Sequence, residues 1–107
     1  MNLLEQAWAG ELELTRRAGI IEGWVYEGVK LRLAKNTWYT PDFFVVLASG
    51  EVEIHETKGH WEDDARVKIK VAAEFFPWFT FKAIQRGTKR EQYKWKIETI
   101  PAPAECR

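Results

Sequence analysis

The chain has 107 residues, enough for one domain and too few for two independent cores. A hydrophobic share of 46%, with six Trp, six Phe and three Tyr, excludes a wholly disordered chain. Basic and acidic residues number 16 each, so net charge excludes the strongly basic class of polyanion binders, and the one cysteine, Cys106, excludes an internal disulfide or a cysteine-built zinc site. No basic-then-apolar leader opens the chain and no apolar run is long enough to cross a bilayer, so a cytoplasmic protein with no membrane partner is expected.

Taken in order, Asn2 and Glu5 form a capping-box pattern that opens an amphipathic helix over residues 3–18, and Gly19 is placed to end it. Trp24 to Tyr26 and then Val29, Leu31 and Leu33, alternating with Lys30 and Arg32, predict a first half-buried strand before a turn at Lys35 and Asn36. Residues 38–47 are mostly aromatic or branched and predict a central strand whose start is marked by Pro41. Ser49 and Gly50 turn the chain into a third strand over 51–58, which Gly59 ends. Acids in a first turn predict a helix over 62–76 with Ala65, Ile69, Ala72 and Phe76 as its buried stripe and Pro77 beyond it. Alternation around Phe79, Phe81 and Ala83, and again around Tyr93, Trp95, Ile97 and Thr99, predicts two further strands. Helix, three strands, helix, two strands is an α/β domain over residues 1–100, with a mixed central sheet flanked by two helices and its first three strands antiparallel; residues 101–107 read as a tail.

The third strand carries the chemical signal. Its alternation places Val52, Ile54, Glu56 and Lys58 on one face and Glu51, Glu53, His55 and Thr57 on the other, so one face begins as core and ends in two ionisable groups. Buried charge of this kind is costly without a partner. A two-residue turn at Ser49 and Gly50 would set Asp42 opposite Thr57. A three-residue loop of Ala48, Ser49 and a left-handed Gly50 instead pairs Asp42 with Glu56, Phe44 with Ile54 and Val46 with Val52, and this register is the one expected. Two adjacent carboxylates repel unless protonated or bridged by a cation, and magnesium typically takes one or two carboxylates with water and phosphate oxygens. With a lysine beside them, these are the parts that phosphodiester hydrolysis needs.

Pro41 and Asp42, followed by Glu56, Thr57 and Lys58, resemble the signature of the PD-(D/E)XK nuclease superfamily, and the run YTPDFFVVLASGEVEIHETKG resembles its strand, hairpin and strand. The segment 3–100 is similar to the small phage-type nucleases of that superfamily, a group that includes Holliday-junction resolvases. The resemblance implies a restriction-endonuclease-like αβββαβ core. It implies that Asp42 and Glu56 bind a Mg2+ or Mn2+ ion, that the Thr57 carbonyl adds a ligand, and that Lys58 serves the attacking water. It also implies a further acid from the first helix, by position Glu5, with Glu11 as second choice. A basic residue on the helix after the motif is a phosphate contact in such proteins, which points here to Arg66 and Lys70.

Outside the motif, Lys89 and Arg90 in the run GTKR are candidates for a backbone-phosphate contact. His60 reads as a loop residue and His55 as facing away from the site. Trp61 is either a base-stacking platform or a packing residue. The expected function is therefore a metal-dependent DNA endonuclease, acting on linear or on branched DNA, and cleavage at two points of a duplex or junction would call for a two-fold homodimer. The alternative is a nucleic-acid-binding or phage assembly protein that keeps the fold without catalysis; steep salt dependence of DNA binding separates binding from assembly.

Overall fold

The Asn2 side chain accepts the Glu5 N–H at 2.7 Å while the Asn2 N–H donates to Glu5 Oε1 at 2.7 Å, and this reciprocal cap starts helix α1 (Leu3–Arg17). Gly19 follows in the left-handed region at φ +79 and turns the chain away. The computed structural model describes residues 1–101; apart from Pro101, the expected tail and Cys106 lie outside the described residues.

The expected first strand is two strands. β1 (Ile21–Tyr26) stops at Glu27, which adopts φ 50, and at Gly28, where a Cβ would stand 2.8 Å from Val25 Cγ1. The chain leaves the sheet at this bend, because a residue in the left-handed region breaks the extended backbone. It then forms β2 (Leu31–Ala34), which turns through Asn36 at φ 57 to pair with β3 (Thr37–Tyr39) as a separate two-stranded sheet. The expected central strand divides for a related reason, since Pro41 has no N–H to give to a ladder. Beyond it run β4 (Phe43–Leu47) and β5 (Val52–Thr57), then helix α2 (Asp63–Phe75), β6 (Thr80–Arg86) and β7 (Trp95–Ile100).

The main sheet has the order β1-β4-β5-β6-β7. Neighbours are antiparallel except β5 and β6, which are parallel and joined through α2, so the domain is α/β with a mixed five-stranded sheet and two helices. In the β4–β5 hairpin Phe44 pairs with Ile54 and Val46 with Val52, the Leu47 N–H donates to the Glu51 carbonyl, and Gly50 is left-handed at φ +94. This is the three-residue loop, and the same register carried one step past Phe43 and His55 sets Asp42 opposite Glu56.

Both faces of the sheet are covered. Trp8 and Leu12 of α1 pack on Ile21, Phe43, Val45 and Ile84, while α2 and the β2–β3 hairpin bury Ile54, Ile69, Ala72, Phe81, Leu31 and Tyr39 on the other side. Of the expected helix stripe, Ile69 and Ala72 are buried, joined by Ala73, while Ala65 and Phe76 are half-buried. Neither helix is long and apolar enough to cross a membrane. This topology brings the start of β4, the ends of β5 and β6 and the N-termini of both helices to one end of the sheet.

Candidate active site

At that end, β5 leaves the core. Ile54 is fully buried, Glu56 is 9% exposed, and Lys58 is half-buried, its N–H donating to the Ile84 carbonyl of β6 at 3.0 Å. Glu56 and Lys58 line one wall of a cleft of about 250 Å³. The opposite wall is built by Tyr39 and Thr40, where the hairpin rejoins the sheet, and by Asp64, Ala65 and Lys68 on the first turns of α2.

Asp42 does not line this cleft. It follows Pro41 in a bend ahead of β4, so strand alternation does not dictate where its side chain points. Its Oδ2 instead accepts the Thr57 N–H and the Thr57 hydroxyl, both at 2.8 Å. Glu56 Oε1 accepts the Asp42 N–H at 3.0 Å. Each carboxylate is thus anchored by a backbone donor of the other's strand, and Asp42 lies near Glu5 and Tyr26. Three charged groups on one face, the simplest reading of the motif, becomes two in the cleft and one at the strand end.

The electrostatics follow from this crowding. Burial, then the negative charge of Asp42 and hydrogen bonding with it, push Glu56 up to about 8, against the smaller opposing effects of the Asp42 N–H and Lys58. Burial also raises Asp42, with the Thr57 donors opposing. Tyr39 is raised well above the usual phenol range by burial and by the Glu56 and Asp42 charges; its buried hydroxyl nevertheless has no partner at hydrogen-bonding geometry, so the charges act on it across a gap.

Glu5, in the first turn of α1, lies near Asp42 and Tyr26. Burial works to raise its pKa, but the Asn2 N–H together with hydrogen bonding to Asp42 and Tyr26 holds it below the ordinary value. Its capping role and its closeness to Asp42 coexist. Glu11 lies elsewhere, lining a hollow over the α1 face of the sheet.

Among the described residues no three His, Cys, Asp or Glu side chains converge as a ready-made metal cage. A magnesium-sized ion does not need one, because one or two carboxylates suffice when water and phosphate oxygens complete the shell. Asp42 and Glu56 fit that requirement. Their mutual repulsion is what a divalent cation relieves.

Other anticipated residues separate. Arg66 is engaged by Glu98, with both carboxylate oxygens within 3.0 Å of its Nη2, and it lies over the Trp61 ring. Lys70 is exposed and off the cleft, and the α2 lysine that reaches it is Lys68. Asp64 and Lys68, four residues apart on one helical face, were findable by that spacing. Lys89 and Arg90 are exposed on the β6–β7 loop, which lies beyond the same end of the sheet as Lys58. His60 is 81% exposed, within 3.8 Å of Glu62, and Trp61 packs against the core.

The far face of β5 holds a separate polar cluster. The Trp8 indole N–H donates to His55 Nδ1 at 3.1 Å, which leaves Nε2 to carry the proton given to Glu53 at 2.9 Å, and Lys82 pairs with the other Glu53 oxygen at 3.0 Å. The alternation identified this face as opposite the cleft, but gave no sign that it is buried.

No known protein family, curated protein or solved structure matches the chain.

Proposed function

We propose that the protein is a magnesium- or manganese-dependent DNA endonuclease of the PD-(D/E)XK type. The observation that carries the reading is the Asp42–Glu56 pair: two carboxylates cross-anchored by backbone donors, Glu56 held at about 8 by burial and then by the Asp42 charge, beside a cleft that Lys58 also lines. A purely structural site gains nothing from two buried like-charged groups, since removing their repulsion would stabilise the fold.

In this reading Asp42 and Glu56 hold the divalent ion, and the Thr57 N–H and hydroxyl keep Asp42 from rotating away. The ion supplies positive charge for the phosphoryl oxygens and for the attacking water. Lys58 orients that water in the cleft or neutralises the charge that develops on the phosphate. Lys68 faces the same space from α2 and holds a non-bridging oxygen. Tyr39, kept protonated by its surroundings, forms part of the cleft wall.

The test incubates the protein with magnesium or manganese and single-stranded, linear duplex, supercoiled and four-way-junction DNA, beside Asp42→Asn and Glu56→Gln. Cutting by the wild type, abolished by chelator and by either substitution while DNA binding persists, is the expected result. If the wild type leaves every substrate intact, or both variants cut as it does, the reading fails.

A further inference from the structure

The β2–β3 hairpin does more than cover α2. Its inner face supplies Leu31, Leu33 and Tyr39 to the core, and its outer face carries Arg32 directly across from Trp38. Trp38 is 45% exposed, with the Lys30 ammonium 5.2 Å from its ring centroid. From Val29 to Pro41 the chain has Lys30, Arg32 and Lys35 and no acidic residue, and none of the three is in an ion pair among the described residues. An uncompensated basic face around an exposed aromatic ring is complementary to a polyanion that also offers flat apolar surfaces.

The position of this face gives it a use. Tyr39 and Thr40 line the cleft, and Trp38 directly precedes Tyr39 in β3, with its side chain on the outward face of the hairpin. Farther along the hairpin a hollow of about 320 Å³ is lined by Arg32, Lys35 and the exposed Phe75 of α2. A strand leaving the cleft over the hairpin would meet a ring, then cations, then a second ring. In a duplex the base faces are stacked on each other and unavailable to such rings, whereas unpaired bases present them.

Building on the nuclease reading, we infer that the β2–β3 hairpin binds an unpaired segment of DNA next to the scissile phosphate. Trp38 stacks on a base while Lys30 and Arg32 hold the backbone. The preferred substrate is then DNA with a single-stranded end, flap or bubble.

Binding is measured in chelator with a labelled oligonucleotide of about 15 nucleotides, within the site sizes such surfaces cover, with its blunt duplex, and with that duplex bearing a single-stranded extension. Trp38→Ala is expected to weaken single-strand and extended-duplex binding about tenfold or more and blunt-duplex binding little, with Trp38→Phe retaining most of the affinity. Replacing Lys30 and Arg32 by Gln should lower the slope of log affinity against log salt by about 1.4, from two lost single-strand phosphate contacts. Equal wild-type affinity for single strand and blunt duplex, or a Trp38→Ala protein that binds like the wild type, overturns the assignment. Cleavage in magnesium separates the two readings. A wild type that cuts, with a Trp38→Ala variant that binds and cuts identically, sinks the hairpin alone; the expected binding pattern without any cutting sinks the nuclease and leaves the hairpin standing.

Discussion

Replacing Glu56 by Gln should make the metal-free protein more stable at alkaline pH. In the unfolded chain this carboxyl has the ordinary value of 4.5, and in the fold it is held at about 8 by burial and by Asp42. Below pH 4.5 it is neutral in both states and costs nothing. As pH rises, the unfolded chain ionises first, so stability is lost progressively until the folded-state carboxyl also ionises near pH 8. The shift of 3.5 units, 8 less 4.5, sets a ceiling of about 5 kcal/mol at 1.36 kcal/mol per unit. Water entering the open cleft screens the pair, so a realised gain of roughly 2 to 3 kcal/mol is expected. Glutamine keeps the shape and an oxygen to accept the Asp42 N–H, and it adds an amide donor for the Asp42 carboxylate.

The assay is thermal unfolding of wild type and Glu56→Gln from pH 5 to 9 in chelator. The melting temperatures should be close at pH 5 and separate by roughly 10 °C above pH 8. Glu53, Glu13 and Glu91 titrate alike in both proteins and cancel in the difference. Magnesium should raise the wild-type melting temperature more at pH 8.5 than at pH 6, since ligand binding to the native state adds stability and the ionised pair binds best. A variant less stable than the wild type at pH 8.5, or a difference that does not change with pH, would show that Asp42 and Glu56 are not a repelling buried pair.

Lys58→Met should lower cleavage by about 10²- to 10⁴-fold, the range for losing a group that serves proton transfer or developing charge, and leave the melting temperature nearly unchanged; unaltered single-turnover rates would remove Lys58 from the chemistry. Asn2→Ala deletes the acceptor for the Glu5 N–H and should cost about 1 kcal/mol, read by denaturant unfolding, where no change would mean the cap is idle. On the opposite face, Glu53→Ala strands His55 and Lys82 and should destabilise by about 3 kcal/mol without changing the cleavage rate per folded molecule. The His55 hydrogen bond, outweighing burial and aided by Lys82, holds Glu53 below 4.5. Its stabilising contribution is therefore present above pH 4.5 and fades as pH falls through the lowered value, and acid unfolding of the variant should lack that component.

Much of the fold was legible because its signals are local. The capping box at Asn2 and Glu5, the alternation of β5 and the acids opening α2 act within a few residues of themselves, and each element appears where those signals put it. The hairpin register was legible too: a one-residue slip would send Ile54 and Phe44 to the wrong face, and only a left-handed Gly50 avoids it. The division of two expected strands was less visible. Gly28 and Pro41 mark the breaks, but that Leu31 and Leu33 serve a separate hairpin over α2 depends on what they pack against.

Within the candidate site, the residue types and the adjacency of Asp42 to Glu56 are properties of the sequence, because strand period and turn chemistry place them across one hairpin. Sequence could not say that Asp42 turns toward Thr57 and Glu5, that Arg66 is taken by Glu98 while Lys68 reaches the cleft, or that His55 is buried against Trp8. Those outcomes join elements distant along the chain, α1 to β5 and α2 to β7. Local periodicity reports which face a side chain leaves by, and only the packed layers decide what stands opposite it.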